Sequence, residues 1–143
     1  MTAWYFDSSA IVKLYADELH HGSVRDFVGV PICTSLARVE VTAAFFGKAR
    51  TGEISVDIAE LLRNVFFADW NEGRFLRISP NEPIEAEAAH LASVYMVRGF
   101  DAVHLATAVA ARRAVPELTV FACFDKRLSR AAVGEEFELL CLP

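Results

Sequence analysis

The feature that most limits how this chain can fold is an alternation. Short apolar runs closed by acidic or hydroxyl residues are followed by longer stretches whose apolar residues recur every three or four positions. Ala3–Phe6 is too brief for a helix and ends at Asp7-Ser8-Ser9, all helix-capping residue types, so a strand is expected to run into a helix from Ser8 to about Asp17. A short helix over Ser23–Val28 stops at Gly29 and Pro31. Ile32–Thr34 then reads as a buried strand ending at Ser35, which is placed to cap the next helix.

From Leu36 to Arg50, Leu36, Val39, Ala43, Phe46 and Ala49 mark a helix that Gly52 ends, with Glu40 about one turn inside. Ile54 to about Trp70 continues helically, making a hairpin with its predecessor, and Phe75–Ile78 is strand-like. Ile84–Val97 and Ala102–Ala114 are Ala-rich helices, the second opened by Asp101. Leu118–Phe124 is an apolar strand, Asp125 begins a short helix through Ala132, and Phe137–Leu142 is a last strand.

Strands alternating with helices over 143 residues predict one α/β domain. Its sheet should be mostly parallel, with about four to five strands, flanking helices and a protruding helical hairpin. Sites in such open sheets form beyond the carboxyl ends of the strands.

The acids fall where that rule matters. Asp7 and Asp125 each follow a strand, Asp101 opens a helix, and Glu40 lies just inside a helix that follows a strand. Convergence at one edge would be costly without a counterion, since like charges about 4 Å apart repel by about 4 kcal/mol at an effective dielectric of about 20. Hard oxygen donors without a His or Cys cluster select Mg²⁺ or Mn²⁺ over zinc, and metal-assisted phosphodiester hydrolysis is the chemistry such a site performs. Taken singly, Asp7, Asp101 and Asp125 are equally well read as helix caps, and Glu40 as a solvated helical glutamate.

Composition sets the outer limits. With 54% hydrophobic and 23% charged residues the chain is globular, with apolar surface to spare for a partner. A net charge of -5 is awkward for a nucleic-acid binder unless cations neutralise some of the acids. Asp7 interrupts any signal-peptide core and no stretch nears the roughly 20 apolar residues that span a bilayer, so a cytoplasmic location is expected. Cys33, Cys123 and Cys141 sit in apolar, strand-like contexts and read as small core residues.

Four segments carry a family resemblance. YFDSSAIVKLYADE (Tyr5–Glu18) resembles the opening of PIN domains, particularly the VapC toxins of toxin-antitoxin pairs, which implies that Asp7 is the first metal-site acid and that Ser9 orients it. TSLARVEVTAAF (Thr34–Phe45) is similar to the second block and carries the second acid to Glu40. RGFDAVHLATA (Arg98–Ala108) matches most fully and makes Asp101 the third. FACFDKRLSRAA (Phe121–Ala132) makes Asp125 the fourth, although Cys123 and Phe124 replace the usual small polar residue ahead of it. The blocks stand in family order and span nearly the whole chain.

The resemblance implies a PIN domain over residues 1–143 and a VapC-like, Mg²⁺- or Mn²⁺-dependent endoribonuclease leaving 5'-phosphate and 3'-hydroxyl ends. The metal would be held by Asp7, Glu40, Asp101 and Asp125. It further implies a VapB-like antitoxin as inhibitor and a homodimer.

Among the other candidates, His104 shares a helix face with Asp101, three residues away, and is expected to pack rather than to act as ligand or base. His20, His21 and His90 lack partners at ligand spacing. Lys13, Arg38, Lys126 and Arg127 flank the acidic blocks and are candidate RNA contacts, with solvated surface as the alternative for each. Phe45, Phe46, Phe66, Phe67 and Trp70 exceed what one face of the hairpin would bury, and an antitoxin groove would account for the excess. No Ser-His or Cys-His nucleophile arrangement is expected. Two rival functions remain: an aspartyl-phosphate phosphotransferase or phosphatase, which usually has a second Asp where Ser9 stands, and a non-catalytic PIN-like interaction module.

Overall fold

The computed structural model describes residues 3–140. Its element order is β1 (Ala3–Phe6), α1 (Ser8–Tyr15), α2 (His21–Arg25), β2 (Ile32–Thr34), α3 (Ala37–Arg50), α4 (Val56–Asn71) and β3 (Leu76–Ile78). These are followed by α5 (Glu82–Tyr95), α6 (Gly99–Ala114), β4 (Leu118–Ala122), α7 (Lys126–Gly134) and β5 (Glu138–Leu139). Among the described residues five strands form one sheet in the order β3-β2-β1-β4-β5, and each pairing is parallel. This is the α/β architecture expected, at the upper end of the expected strand number.

The two-residue period of the strands divides the core into two layers. Tyr5, Ile32 and Phe121 point to one face and pack with α5, α6 and α7 through Leu91, Leu105 and Leu128. Phe6, Cys33 and Ala122 point to the other and pack with α1, α3 and α4 through Ile11, Phe45, Phe66 and Trp70. Cys33 and Cys123 are buried free thiols, as expected of small core residues. Cys141 and Leu142, the end of the expected last strand, lie outside the described residues.

Several boundaries differ for identifiable reasons. β4 stops at Ala122, short of Phe124, because the next amides leave the ladder: Phe124 N donates to Ser9 Oγ at 3.2 Å and Asp125 N to Cys123 Sγ at 3.3 Å. Ser35 does not cap α3, whose N-cap is Leu36 without a side-chain bond; instead the Ser35 amide extends the sheet by donating to Ile78 O at 2.9 Å. Helix α2 begins at His21, two residues before the expected Ser23, and ends at Arg25.

Helices α3 and α4 form the expected hairpin. Gly52 turns the chain at φ 81°, a left-handed conformation that suits glycine, and Ser55 caps α4 by accepting from Ile58 N. The hairpin buries Phe45, Phe66 and Trp70 but leaves Val39, Val56, Leu61 and Val65 exposed.

Candidate active site

The strand order places a topological switch at the middle of the sheet. From β1 the chain steps through β2 to β3 on one side, then crosses to β4 and β5 on the other, and ligands of open parallel sheets bind in the crevice where that reversal occurs. Asp7 follows β1 directly, and Asp125 comes just after β4, the strand paired with β1.

Asp7 is 4% exposed. It caps α1: its Oδ1 accepts from Ala10 N at 2.9 Å and from Ser9 Oγ at 2.7 Å. The Cys123 thiol lies beside the same carboxylate and helps to hold its charge. Burial pushes the carboxyl above its ordinary value, against the opposing pull of His104 and the bonds from Ser9 and Ala10.

Glu40 lies in the first turn of α3. Its Oε1 accepts from Ser8 Oγ at 2.9 Å and from His104 Nε2 at 2.7 Å, while Oε2 has no donor among the described residues. Burial works against the Glu40 charge, but His104 and Ser8 outweigh it and hold the carboxyl below its ordinary value.

Asp101 does not cap α6. Arg98 is the N-cap residue, without a side-chain bond, and Asp101 sits inside the first turn with no hydrogen-bond donor among the described residues. Burial raises its carboxyl, and the charges of Asp125 and Asp7 push it the same way, while His104 and Arg98 oppose them. Asp125 does cap its helix, its Oδ1 accepting from Leu128 N at 2.9 Å.

Glu40 and Asp125 are each fastened through one oxygen, Asp7 is held by Ser9, the Ala10 amide and the Cys123 thiol, and Asp101 has no donor among the described residues. The charges of Asp7 and Asp125 both act on Asp101, and Glu40 is tied to the same region through His104. No three His, Cys, Asp or Glu side chains among the described residues are gathered tightly enough to hold a metal ion as they stand. The donors themselves fit a hard divalent cation: free carboxylate oxygens, mutual repulsion that a cation would relieve, and no thiolate facing the crevice.

A family profile described as the PIN domain matches residues 4–134. The chain belongs to the PIN-domain family. It is also 36% identical over 135 residues, 90% of this chain and 88% of the relative, to Ribonuclease VapC45 of Mycobacterium tuberculosis (strain CDC 1551 / Oshkosh). The same figures, 36% over 135 residues, hold for Ribonuclease VapC49 of M. tuberculosis (strain ATCC 25618 / H37Rv). The chain is a VapC-like PIN domain.

Seen as a PIN domain, the molecule revises several residue expectations. Ser9 is not the cap of α1, which is Asp7; its hydroxyl donates to Asp7 and accepts from Phe124 N, linking the turns after β1 and β4. His104 was expected to pack, and it is 2% exposed, but its ring is hydrogen-bonded at both nitrogens: Nδ1 to Tyr5 Oη at 2.8 Å and Nε2 to Glu40. Lys13 is not a free cation, because it pairs with Glu18 at 3.2 Å and lies over the Phe124 ring. Arg38 stacks over Phe67 yet stays exposed, and Lys126 and Arg127 are exposed with no acidic partner among the described residues.

One Ser-His contact does occur, Ser8 Oγ lying 3.2 Å from His104 Nε2. The arrangement is not a nucleophile triad. There the acid and the serine engage opposite nitrogens of the ring, whereas here Glu40 and Ser8 share Nε2 and Tyr5 occupies Nδ1. The parts of Tyr5 and Ser8 escaped the sequence reading, where the only signal was their nearness to Asp7, and His104, singled out by its spacing from Asp101, was expected only to pack.

Proposed function

We propose that this chain is a metal-dependent endoribonuclease, a VapC-like toxin that hydrolyses RNA phosphodiester bonds and is inhibited by a cognate antitoxin. The observation that supports the reading is that Asp7 and Asp125 follow the paired strands β1 and β4 at the switch of a PIN domain, and that the charges of both act on Asp101. The names of its ribonuclease relatives support the substrate class.

In this reading Asp7, Glu40, Asp101 and Asp125 hold Mg²⁺ or Mn²⁺. When bound, the ion supplies Lewis acidity toward water and toward the scissile phosphate. The chain's own part is orientation. Ser9 and the Ala10 amide fix one oxygen of Asp7, Ser8 and His104 fix one oxygen of Glu40, and the Leu128 amide fixes one oxygen of Asp125.

Arg38, Lys126 and Arg127 are the proposed RNA contacts, with Lys13 instead neutralising Glu18. Support for Arg127 comes from its place beside Arg130, Tyr95 and Met96 around a cleft of about 430 Å³ on the flank of α7. A VapB-like antitoxin is the proposed partner. The exposed apolar residues of the α3–α4 hairpin, with a cleft of about 510 Å³ lined by Arg38, Val39, Thr42, Ala43 and Phe67, suit an apolar segment of such a protein. Homodimer formation and a cytoplasmic location belong to the same proposal; among the described residues no helix is long and apolar enough to cross a membrane.

The test is cleavage of total cellular RNA by the purified protein with Mg²⁺ or Mn²⁺, with EDTA, and by Asp7→Asn and Asp101→Asn. Fragments that appear only with metal and vanish in both variants are expected. Undiminished cleavage by either folded variant would remove its carboxylate from the site. Trapping of a phosphoryl mimic on Asp7 without RNA cleavage would favour the aspartyl-phosphate alternative.

A further inference from the structure

Resting on that reading of the site, we propose that Tyr5 and His104 form a positioning relay that leaves Glu40 to act through Oε2 alone. His104 is then neither a metal ligand nor a proton acceptor.

The bond directions can be worked out from the partners. Glu40 is an ionised carboxylate and only accepts, so His104 Nε2, 2.7 Å away, must carry the hydrogen between them. Tyr5 is fully buried, and a phenol carries a hydrogen to donate across the neutral range. In the neutral imidazole with Nε2–H, Nδ1 is the acceptor and takes the Tyr5 hydrogen across 2.8 Å. An imidazolium would reverse only the Tyr5 bond; Nε2–H would still donate to Glu40. The orientation of Glu40 therefore does not depend on the charge of His104.

The second donor to Oε1 is Ser8 Oγ at 2.9 Å. Two donors on one oxygen turn the carboxylate, and Oε2 is the atom left over. His104 stands one turn beyond Asp101 on α6, so the bond it makes to α3 also sets the spacing between the second and third acids. Tyr5 joins the same relay to β1, two residues before Asp7. One buried chain of hydrogen bonds thus connects the elements that carry Asp7, Glu40 and Asp101. Partners of this kind, which hold a ligand without touching the metal, change metal affinity by about 10- to 100-fold when removed.

The discriminating pair is His104→Leu and His104→Gln. Glutamine can place its amide nitrogen where Nε2 stands and keep a donor to Glu40, whereas leucine cannot. Free Mn²⁺ measured by electron paramagnetic resonance during titration of the metal, without RNA, reads the relay directly. His104→Leu is expected to weaken Mn²⁺ binding by about 10- to 100-fold, with His104→Gln recovering most of the loss. Tyr5→Phe keeps the ring stacked on Phe121 and is expected to weaken binding less than His104→Leu, and it serves in its place should the latter not fold. With RNA, kcat should fall in these variants while KM stays near that of the unaltered protein.

Equal Mn²⁺ affinity in folded His104→Leu or Tyr5→Phe and in the unaltered protein would overturn the relay while leaving the nuclease reading intact. So would equal loss in the Leu and Gln variants, which is the signature of packing alone. An unaltered protein that binds no Mn²⁺ would overturn both.

Discussion

At the scale of single residues, Asp7 meets two requirements that are usually separate. It is a helix cap, which explains an aspartate at the end of a strand without any appeal to function, and it is also an almost wholly buried charge whose burial outweighs the bonds made to it. The second property is a liability in the absence of a cation. Because burial raises its folded pKa, the ionised form at neutral pH disfavours folding. Asparagine keeps an oxygen for Ser9 and Ala10 and carries no charge. Asp7→Asn is therefore expected to raise the stability of the metal-free protein by about 1 kcal/mol, about 3 °C in Tm, while abolishing RNA cleavage. Calorimetry in EDTA checks this; a lowered Tm would mean that the buried charge is better compensated than its surroundings indicate. Asp125 is an exposed cap, and Asp101 is no cap at all, so the capping explanation, equally open for all three from sequence, separates them once the helix starts are known.

At the scale of elements, the segment after α1 is strapped to α3 by charge. Glu18 bonds to Lys13 of α1 and to Lys48 of α3, and Lys48 also reaches Glu53 beyond the end of α3. Burial opposes the Glu18 charge, but Lys48 and Lys13 outweigh it and hold the carboxyl below its ordinary value. A lowered carboxyl pKa stabilises the fold at all pH values above the ordinary glutamate value, and the contribution disappears as pH falls through the lowered one. Between about pH 5 and 3 the protein should lose about 0.5–1 kcal/mol that Glu18→Gln does not lose, measured by urea denaturation at each pH. Parallel slopes for the two proteins would show that the strap contributes nothing. The same network withdraws Lys13 from the candidate RNA contacts, which its position beside the first acidic block had suggested.

For the molecule as a whole, the sequence poses a conflict between a net charge of -5 and a polyanionic substrate. The fold eases it by segregation. Asp7 and Asp125 follow neighbouring central strands and both act by charge on Asp101, where a divalent cation would offset them, while Lys126, Arg127 and Arg130 stand on α7 after Asp125, exposed and without acidic partners among the described residues. Binding of a single-stranded RNA to the Asp7→Asn protein should weaken as salt rises, and Arg127→Ala should reduce the slope of log affinity against log salt by about 1. Fluorescence anisotropy across a salt series measures it, and an unchanged slope would place Arg127 off the RNA path. The hairpin's exposed apolar residues are aliphatic, Val39, Val56, Leu61 and Val65 among them, whereas its aromatic residues pack on the second core layer, Phe46 and Phe67 only partly covered.

What the chain determines by itself is local: which runs are strands, which are helices, and that acids follow the strands. These follow from periods of about two and about 3.6 residues and from capping chemistry, all legible over a few neighbours. The alternation also implied a parallel sheet, because sequential strands joined through helices must run the same way. The errors at the ends of β4 and the start of α3 arose where a distant partner captures an amide, Ser9 for Phe124 and the Ile78 carbonyl for Ser35. Only the tertiary structure decided that β1 is central, so that Asp7 and Asp125 flank one crevice and the acids become a candidate site instead of separate caps. It also decided that His104 bonds Glu40 across 64 positions and Tyr5 across 99. No periodicity encodes a hydrogen bond over such a separation; it exists because the sheet order brings α6 against β2 and β4, on either side of β1, and that order is settled by how the two apolar layers bury their faces.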